Sequence, residues 1–299
     1  MLQIIETRVL SVIAYYPLAF FAIGMAMFGM TGGSLFVYFR ENLFPRHKIF
    51  EKLVWISSAF AISVVVSALL AITTVLTGVS QKANLLIVTV QWGHLVLMLA
   101  TPYVFAGMAI SLALTRSPFP VPLVYGVDLL GAAAGCLVVL VVLSLIDSVS
   151  AWLLVGALAA SGGVFFASAA HDQESQLAIM RAPFLPRPWI LASGLAVLAL
   201  ANGAIQPYGL KLSMVKERVE KGTNLILWNS FSRVSVDGVV EERPEMWGPS
   251  PIMPASIIQQ RNMEIDGSAS SPMYRFDGDL SKLEFLKYDI TNLAYSISS

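Results

Sequence analysis

The sequence predicts a mainly α-helical membrane protein: a multi-spanning helix bundle followed by a small β-rich soluble segment. The first observation is composition, since 56% of the 299 residues are hydrophobic, only 13% are charged, and the mean hydropathy is +0.71. Ordinary soluble domains carry about 25% charged residues. The second is the distribution of charge: residues 1–207 hold 9 Lys/Arg and 7 Asp/Glu, whereas residues 208–299 hold 10 and 12. We therefore expect a transmembrane domain over 1–207 and a soluble segment over 208–299.

The third observation is a series of long apolar runs. A membrane-spanning helix needs about 20 predominantly apolar residues. Five runs reach that length and a sixth is slightly short; their approximate ranges are 17–39, 53–77, 84–115, 126–146, 149–170 and 188–206. Residues 1–16 are expected to form the second half of a further helix whose first half is missing. The prediction is thus about six full spans plus a truncated first helix.

The run 84–115 is long for one span and contains Pro102. Because proline kinks or ends a helix, the run is either one tilted, kinked helix or two short spans, and we favour the single helix. The choice affects topology. The basic loop 40–52 should be cytoplasmic by the positive-inside rule. If the run 84–115 is a single span, residues 208–299 then lie outside the cell. If it is two spans, they lie inside.

Small and polar residues within the spans can be interpreted either as packing residues or as functional ones. Gly29 and Gly33, like Gly131 and Gly135, are four residues apart, a spacing that allows close helix packing or a homo-oligomer face. The general abundance of glycine in membrane helices explains the spacing equally well. His94 and Asp128 are the intramembrane polar candidates.

Each of these two residues has a structural and a functional interpretation. For His94 a hydrogen bond to a neighbouring helix is favoured over a ligand role, since no second ligand sits at metal spacing. For Asp128 the helix dipole explains an acidic residue near a helix N-terminus. A buried polar contact or a proton relay is the alternative for Asp128.

The soluble segment has the pattern of strands and turns. Residues 224–236 and 263–267 each predict a strand followed by a turn, residues 244–254 predict a loop, and residues 280–296 fit a helix or a strand. The sequence contains no glycine-rich nucleotide loop, metalloprotease motif or hydrolase motif. Zero net charge gives no indication of nucleic acid binding. No catalytic, cofactor-binding or metal-binding residue is therefore assigned.

Six stretches carry a family resemblance through their order along the chain: Glu6–Ser11, Tyr15–Phe20, Ala26–Gly33, Pro102–Ser111, Tyr125–Cys136 and Trp228–Val234. Together they resemble the membrane-bound relatives of spermidine synthase. Those proteins join a multi-spanning N-terminal region to a Rossmann-like aminopropyltransferase domain, whose first part is β-rich. The stretch Ile265-Asp266-Gly267 resembles a strand turn of that part.

The resemblance implies aminopropyl transfer from decarboxylated S-adenosylmethionine to a polyamine. The chain has neither the family's glycine-rich nucleoside loop nor its downstream acidic residue. It is therefore expected to be an N-terminal portion whose catalytic domain, a partner in cis, is missing, and to be inactive alone. Residues 208–299 are then a linker and the β-rich beginning of that domain. In a complete protein Asn229, Ser230, Arg233 and Asp266 would border the substrate cleft, or simply pair strands and cap turns.

The expected surroundings are a lipid bilayer, specifically a bacterial inner (plasma) membrane, with the protein as a multi-pass integral component. Two other functions fit the same pattern. One is a transporter-type bundle with an accessory soluble tail, which interrupted helices and intramembrane polar residues would suit. The other is a purely structural anchor.

Overall fold

The computed structural model describes residues 1–14, 16–74, 85–170, 187–206, 208–216, 218–219 and 223–293. The chain divides into two compact units. The first comprises Met1–Val219 with Trp228–Ser232, and the second comprises Glu220–Leu227 with Arg233–Ser299. The first unit is helical, and the second is built on a small sheet.

Seven α-helices lie within the described residues: α1 (Leu2–Ile13), α2 (Tyr16–Phe39), α3 (Ile49–Thr73), α4 (Leu85–Arg116), α5 (Val121–Leu145), α6 (Ser148–Ala169) and α7 (Pro188–Ala204). Five of them, α2 to α6, are long and apolar enough to cross a membrane. The expected count of six full spans is therefore too high. Helix α7 has 17 residues, and at about 1.5 Å per residue it is about 25 Å long, short of a hydrocarbon layer of about 30 Å.

Helix α1 lies inside the bundle. Its residues Ile5, Val9 and Leu10 are fully buried and belong to a hydrophobic cluster that also takes side chains from α2 to α6. Its C-terminus is capped by Lys216, whose Nζ donates to the carbonyls of Ser11 and Ala14 at 2.6 Å each. A cation there complements the negative end of the helix dipole. Burial of most of its surface makes α1 a core element.

Helix α4 runs without a break from Leu85 to Arg116 and contains Pro102, as the favoured single-helix prediction requires. The guanidinium of Arg116, at its C-terminal end, lies 3.0 Å from the carboxylate of Glu41. Glu41 follows directly on α2 in the basic loop. The C-terminal ends of α2 and α4 therefore lie at the same end of the bundle.

Helix α5 is the least packed of the five long helices. Only Val139 and Leu143 are buried along its 25 residues. It begins at Val121, five residues before the start of the expected span, with Pro120 as N-cap and Pro122 in its first turn. Proline is tolerated there because the first N–H groups of a helix have no intrahelical partner.

The second unit contains a five-stranded sheet made of β3 (Thr223–Trp228), β4 (Arg233–Asp237), β5 (Val240–Glu242), β6 (Ile258–Ile265) and β7 (Ala269–Tyr274). A two-stranded hairpin, β1 (Met214–Val215) with β2 (Arg218–Val219), precedes it in the helical unit. Strand β6 pairs antiparallel with β4, β5 and β7.

Two expectations for this segment need correction. The predicted strand over 224–236 is two strands, β3 and β4, because the segment from Asn229 to Ser232 forms a turn between them. Within residues 280–293 the strand alternative is wrong, and the helix is of the 3₁₀ form rather than an α-helix, at Leu280–Tyr288 and Ile290–Asn292. Residues 294–296 lie outside the described part.

Candidate functional site

His94 links two helices. Its Nε2 atom lies 2.9 Å from the Thr74 hydroxyl and 3.1 Å from the carbonyl oxygen of Leu70. The Leu70 carbonyl oxygen can only accept a hydrogen bond, so Nε2 carries a hydrogen and is the donor in this contact. The carbonyls of the last turn of a helix have no intrahelical partner. His94, on α4, thus donates a hydrogen bond to a carbonyl in the last turn of α3. This agrees with the interpretation of His94 as a residue that bonds to a neighbouring helix.

Asp128 lies at the eighth position of α5, and the first turn of that helix contains no acidic residue. The dipole effect fades within the first turn, so the early start of α5 removes the helix-dipole explanation. The carboxylate is exposed on the helix surface and lines a cavity of about 460 Å³ between α3, α4, α5 and α6. Among the described residues no hydrogen bond or ion pair of Asp128 is formed.

Glu6 is a buried carboxylate outside the set of sequence-predicted site residues. It is fully buried in α1, and its Oε2 accepts a hydrogen bond of 2.9 Å from the hydroxyl of Tyr103 on α4. Within the part of the chain that the structure describes, its Oε1 has no hydrogen-bond partner. The signal in the sequence was an acidic residue within an apolar run, and its partner, 97 positions away, could not be read from spacing.

A polar cluster joins the start of α6 to the end of α7. Asp147 is the N-cap of α6 and accepts from the backbone N–H groups of Val149 and Ser150 at 2.9 and 3.0 Å. Asn202, on α7, donates to the Ser150 hydroxyl at 2.9 Å and to the Leu210 carbonyl at 3.1 Å. Its own carbonyl accepts from the Leu210 N–H at 2.6 Å. This cluster was not predicted from the sequence; the signal that could have found part of it is the aspartate before an apolar run, which is a typical N-cap.

Asn229 and Ser230 lie in the turn between β3 and β4, which belongs to the helical unit. The Asn229 side-chain carbonyl accepts from the N–H groups of Phe231 and Ser232 at 2.8 and 2.6 Å. Its amide donates to the Ser232 hydroxyl at 3.0 Å. This is an Asx turn, in which an asparagine side chain closes the loop that follows it. The Asn229 side chain thus has a structural role in the turn.

Arg233 and Asp266 lie in the sheet unit and contact each other across neighbouring strands. The Arg233 N–H donates to the Asp266 carboxylate at 2.8 Å, and the Asp266 N–H donates back to the Arg233 carbonyl at 2.8 Å. Asp266 and Gly267 have φ values of 51° and 66°. An Asp-Gly pair with both φ values positive is typical of a type I′ hairpin turn. Two of the four residues predicted to border a substrate cleft are therefore brought together, as a strand pairing and turn.

The sheet unit carries two further polar features. A cavity of about 380 Å³ is lined by Val239, Gln259, Gln260, Arg261, Met273, Tyr274 and Arg275. Burial raises the pKa of the Tyr274 hydroxyl, and the negative charges of Asp289 and Glu245 raise it further. The Tyr274 hydroxyl donates to the Glu245 carbonyl at 2.6 Å, which fixes it at the cavity wall.

The Asp277-Gly278-Asp279 turn is stabilised by its own neighbours. Lys282 pairs with the Asp277 carboxylate and lowers its pKa. The hydroxyl and N–H of Ser281, at 2.7 and 3.0 Å, lower the pKa of the Asp279 carboxyl. Over the described ranges, no group of three or more His, Cys, Asp or Glu residues is placed to hold a metal ion.

In comparisons with known proteins, no family model, curated protein or solved structure matches the chain. The resemblance to the relatives of spermidine synthase therefore stays a prediction carried by the sequence stretches. Chemically, His94, Asp147, Asn202, Asn229 and Asp266 form structural hydrogen bonds at helix ends and turns. Glu6 joins two helices within the bundle, and Asp128 has no hydrogen bond or ion pair among the described residues.

Proposed function

We propose that this chain is the membrane region, with the first strands of the soluble region, of a spermidine synthase-like aminopropyltransferase. The observation that carries the proposal is the order of the elements. A bundle of long apolar helices is followed by a small antiparallel sheet, whose β6–β7 hairpin turns at Ile265-Asp266-Gly267. This is the order, and the strand turn, that the resemblance implies.

The family-like stretches also meet one another in the bundle. The stretch Ala26–Gly33 lies on α2 and Pro102–Ser111 on α4, and Ser34, adjoining the first, donates to the Gly107 carbonyl at 3.3 Å. Glu6, in the first stretch of the chain, is bonded to Tyr103 on α4. Stretches that are distant in sequence but form one packed unit are expected to persist together in a family.

The proposed reaction is the one that the resemblance implies, and no residue of the 299 is assigned a catalytic role in it. The amine nitrogen of the polyamine forms a bond to the aminopropyl carbon, the bond from that carbon to the sulfonium sulfur breaks, and methylthioadenosine leaves. An acidic residue takes the proton that the nitrogen loses. The residues that the resemblance implies for the border of a substrate cleft have no catalytic role in this proposal; they are Asn229, Ser230, Arg233 and Asp266.

The test compares two polypeptides. The 299-residue chain, purified in detergent with decarboxylated S-adenosylmethionine and putrescine, should give no spermidine by mass spectrometry. The complete reading frame from its source should encode a strand, a glycine-rich turn and an acidic residue about 20 positions later, and its product should give spermidine and methylthioadenosine. Further apolar spans in place of that pattern, or turnover by the short chain, would overturn the proposal.

The proposal places the bundle in a bacterial inner (plasma) membrane with residues 208–299 outside. Helix α7 is shorter than the five long helices, but it runs beside α6 from Pro188, near Gly163, to Asn202, which is bonded to Ser150, so its two ends lie at opposite ends of the bundle. With the basic loop 40–52 inside and α4 as one crossing, the end that carries Asn202 is outside. Membrane-impermeant maleimide should label Ser268→Cys in intact cells of a Cys136→Ala background. Asn42→Cys, in the basic loop, should react only after permeabilisation. The opposite labelling pattern would place the sheet on the cytoplasmic side.

One observation favours the transporter-type alternative, namely the Asp128 carboxylate on a cavity wall within a span. Charged residues in spans often mark solute paths. Uptake of labelled choline, an organic cation with one positive charge, into proteoliposomes, against a matched Asp128→Asn protein, is the measurement that separates transport from anchoring.

A further inference from the structure

The cavity beside Asp128 lies between four helices near one end of the bundle. The C-terminal part of α4, the first turns of α3 and α5 and the last turn of α6 form its wall. Its volume of about 460 Å³ lies within the range of about 300–1,000 Å³ that is usual for small-molecule sites. The wall residues are Phe50, Leu53, Ala109, Ile110, Ala113, Leu114, Ser117, Phe119, Leu123, Val124, Val127, Asp128 and Phe166. Eleven of these thirteen are apolar.

The two polar residues of the wall both lack partners within the described part of the chain. The Ser117 hydroxyl oxygen is buried and has no hydrogen-bond partner among those residues. The Asp128 carboxylate makes no hydrogen bond or ion pair there either. The nearest basic residue in sequence on the wall-forming helices, Arg116, pairs instead with Glu41 at 3.0 Å. The cavity thus presents one carboxylate and one hydroxyl in an otherwise apolar surface.

We infer that this cavity binds an organic cation with a single positive charge and an apolar body. A carboxylate in an apolar environment is costly unless a cation pairs with it, because the low dielectric strengthens the attraction and water is scarce. The apolar walls take the rest of the ligand. The hydroxyl of Ser117 accepts a hydrogen bond from an ammonium group, or contacts its methyl groups.

The same wall disfavours other ligands of similar size. A polyamine carries several charges, and this cavity offers one carboxylate, so the other charges would lose their hydration without compensation. A phospholipid headgroup brings a phosphate that Asp128 repels. A neutral hydrocarbon leaves the carboxylate unpaired. The inference therefore does not rest on the proposed polyamine chemistry, and either can fail without the other.

The position of Asp128 allows a cation to reach it from the membrane surface. The residue is seven positions after Val121, which places it about 10 Å along the helix from its first residue. Ser117 and Phe119 lie in the short connection before α5. A ligand is thus expected to place its charge toward the polar end and its apolar body between α3, α4 and α6.

The test uses the full chain in phosphatidylcholine nanodiscs and tritiated tetraphenylphosphonium as the probe, with scintillation proximity as the readout. Saturable binding is expected. Octylammonium should displace the probe, whereas octanol and spermidine at equal concentration should not. Octanol has the same chain without a charge, and its failure to compete separates binding of a cation from simple occupation of an apolar space.

Four variants sharpen the test. Asp128→Asn should weaken binding about tenfold or more, and Asp128→Glu should retain it. Leu123→Trp keeps the carboxylate but fills the cavity, and should abolish binding. Gly131→Ala lies on the same helix at a position with open space around it among the described residues, so it should bind as the native chain does.

Native affinity in Asp128→Asn overturns the inference, and so does competition by octanol equal to that by octylammonium. Loss of binding in Gly131→Ala as well would show that changes in α5 act through folding, and would also count against it. Size-exclusion profiles of all variants check that they are folded. Should Asp128→Asn not fold, Leu123→Trp and the octanol competition decide the test, and native binding by Leu123→Trp overturns the inference.

Discussion

The crossing of α2 with α4 and the surface of α5 carry the same small-residue pattern and use it differently. At Gly29, Gly33 and Gly107 an added Cβ would overlap a backbone carbonyl of the facing helix, namely that of Ala100, Val104 or Met30. At Gly131 on α5 an added Cβ would meet nothing within 4 Å in the described part of the chain. One pair of glycines therefore closes a helix interface. In the other pair, Gly131 faces open space among the described residues, and an added Cβ at Gly135 would meet only Met1, whose Cγ lies at 3.2 Å.

The difference teaches that glycine spacing permits close packing without causing it. In a bilayer, helices associate through van der Waals contact and hydrogen bonds, since lipid is as apolar as the side chains. Helix α2 packs against a small residue of α4, Gly107, whose carbonyl accepts a hydrogen bond of 3.3 Å from the Ser34 hydroxyl. Among the residues that the structure describes, nothing comparable faces Gly131.

The largest expected effect is that of Gly33→Ala, which attacks the closed interface directly. The new Cβ would overlap the carbonyl of Val104 and approach the Met108 nitrogen to 2.9 Å, and neither backbone atom can yield without moving a helix. We expect a loss of about 1–3 kcal/mol, the usual cost of overpacking. Thermal unfolding in detergent, followed by tryptophan fluorescence, measures it.

Gly131→Ala is the matched control for that substitution. Alanine exceeds glycine in helix propensity by up to about 1 kcal/mol, and no described residue at this position opposes the gain. The midpoint of unfolding should stay or rise. A fall equal to that of Gly33→Ala would mean that α5 packs against something, and the contrast between the two surfaces would disappear.

The next effect compares a polar group in the packed core with one on the bare surface. Tyr103→Phe removes the hydrogen-bond donor of the buried Glu6 carboxylate, whose other oxygen has no partner among the described residues. An unsatisfied buried group costs about 1–3 kcal/mol. Asp128→Asn should not lower the stability, because the carboxylate forms no hydrogen bond or ion pair with the described residues and an amide costs less than a charge in an apolar wall. Equal losses in the same unfolding measurement would show that Asp128 is part of the core.

A smaller loss of stability is expected from changes in the polar cluster that joins the start of α6 to the end of α7. Asp147→Ala removes the side chain that caps the N-terminus of α6. Loss of such a cap costs about 1 kcal/mol. Asn202→Leu, which breaks the bonds to Ser150 and Leu210, should lower the midpoint as well. If Asp147→Ala unfolds at the native temperature, the cap carries no stability here.

These elements also show what the sequence could predict. The long helices were predictable because the length of an apolar run is a local property. The Asp266-Gly267 turn was predictable because only certain residues accept positive φ. The start of α5 was missed because Pro120 and Pro122 resemble a break, although both suit a helix N-terminus.

The rest depends on contacts between distant residues. The partners of Glu6 and Asn202 come from other helices, 97 and 52 positions away. The cavity beside Asp128 takes its wall from four helices, and no single segment contains a sign of it. For the same reason equal glycine spacing on α2 and α5 did not reveal which helix would be packed.

The smallest expected effect on stability comes from the solvent-exposed turn that contains Asp277 and Asp279. A carboxyl group whose pKa is lowered in the folded chain stabilises the fold above its ordinary pKa. That contribution is lost as the pH falls through the lowered value. Both pKa values should lie below the ordinary 3.8, so the pH must fall below about 4 before the effect appears. Carboxyl ¹³C shifts of aspartate-labelled protein give the two values.

Lys282→Ala separates the causes of the two lowered pKa values in that turn. It should raise the pKa of Asp277, whose shift comes first from the Lys282 side chain. It should leave most of the shift of Asp279, because the hydroxyl and N–H of Ser281 are its main donors. Both groups are solvent-exposed, so neither change should alter the unfolding midpoint at neutral pH. A large change there would mean that these surface pairs support the fold as the buried contacts of α2 and α4 do, and the contrast between packed and exposed polar groups would fail.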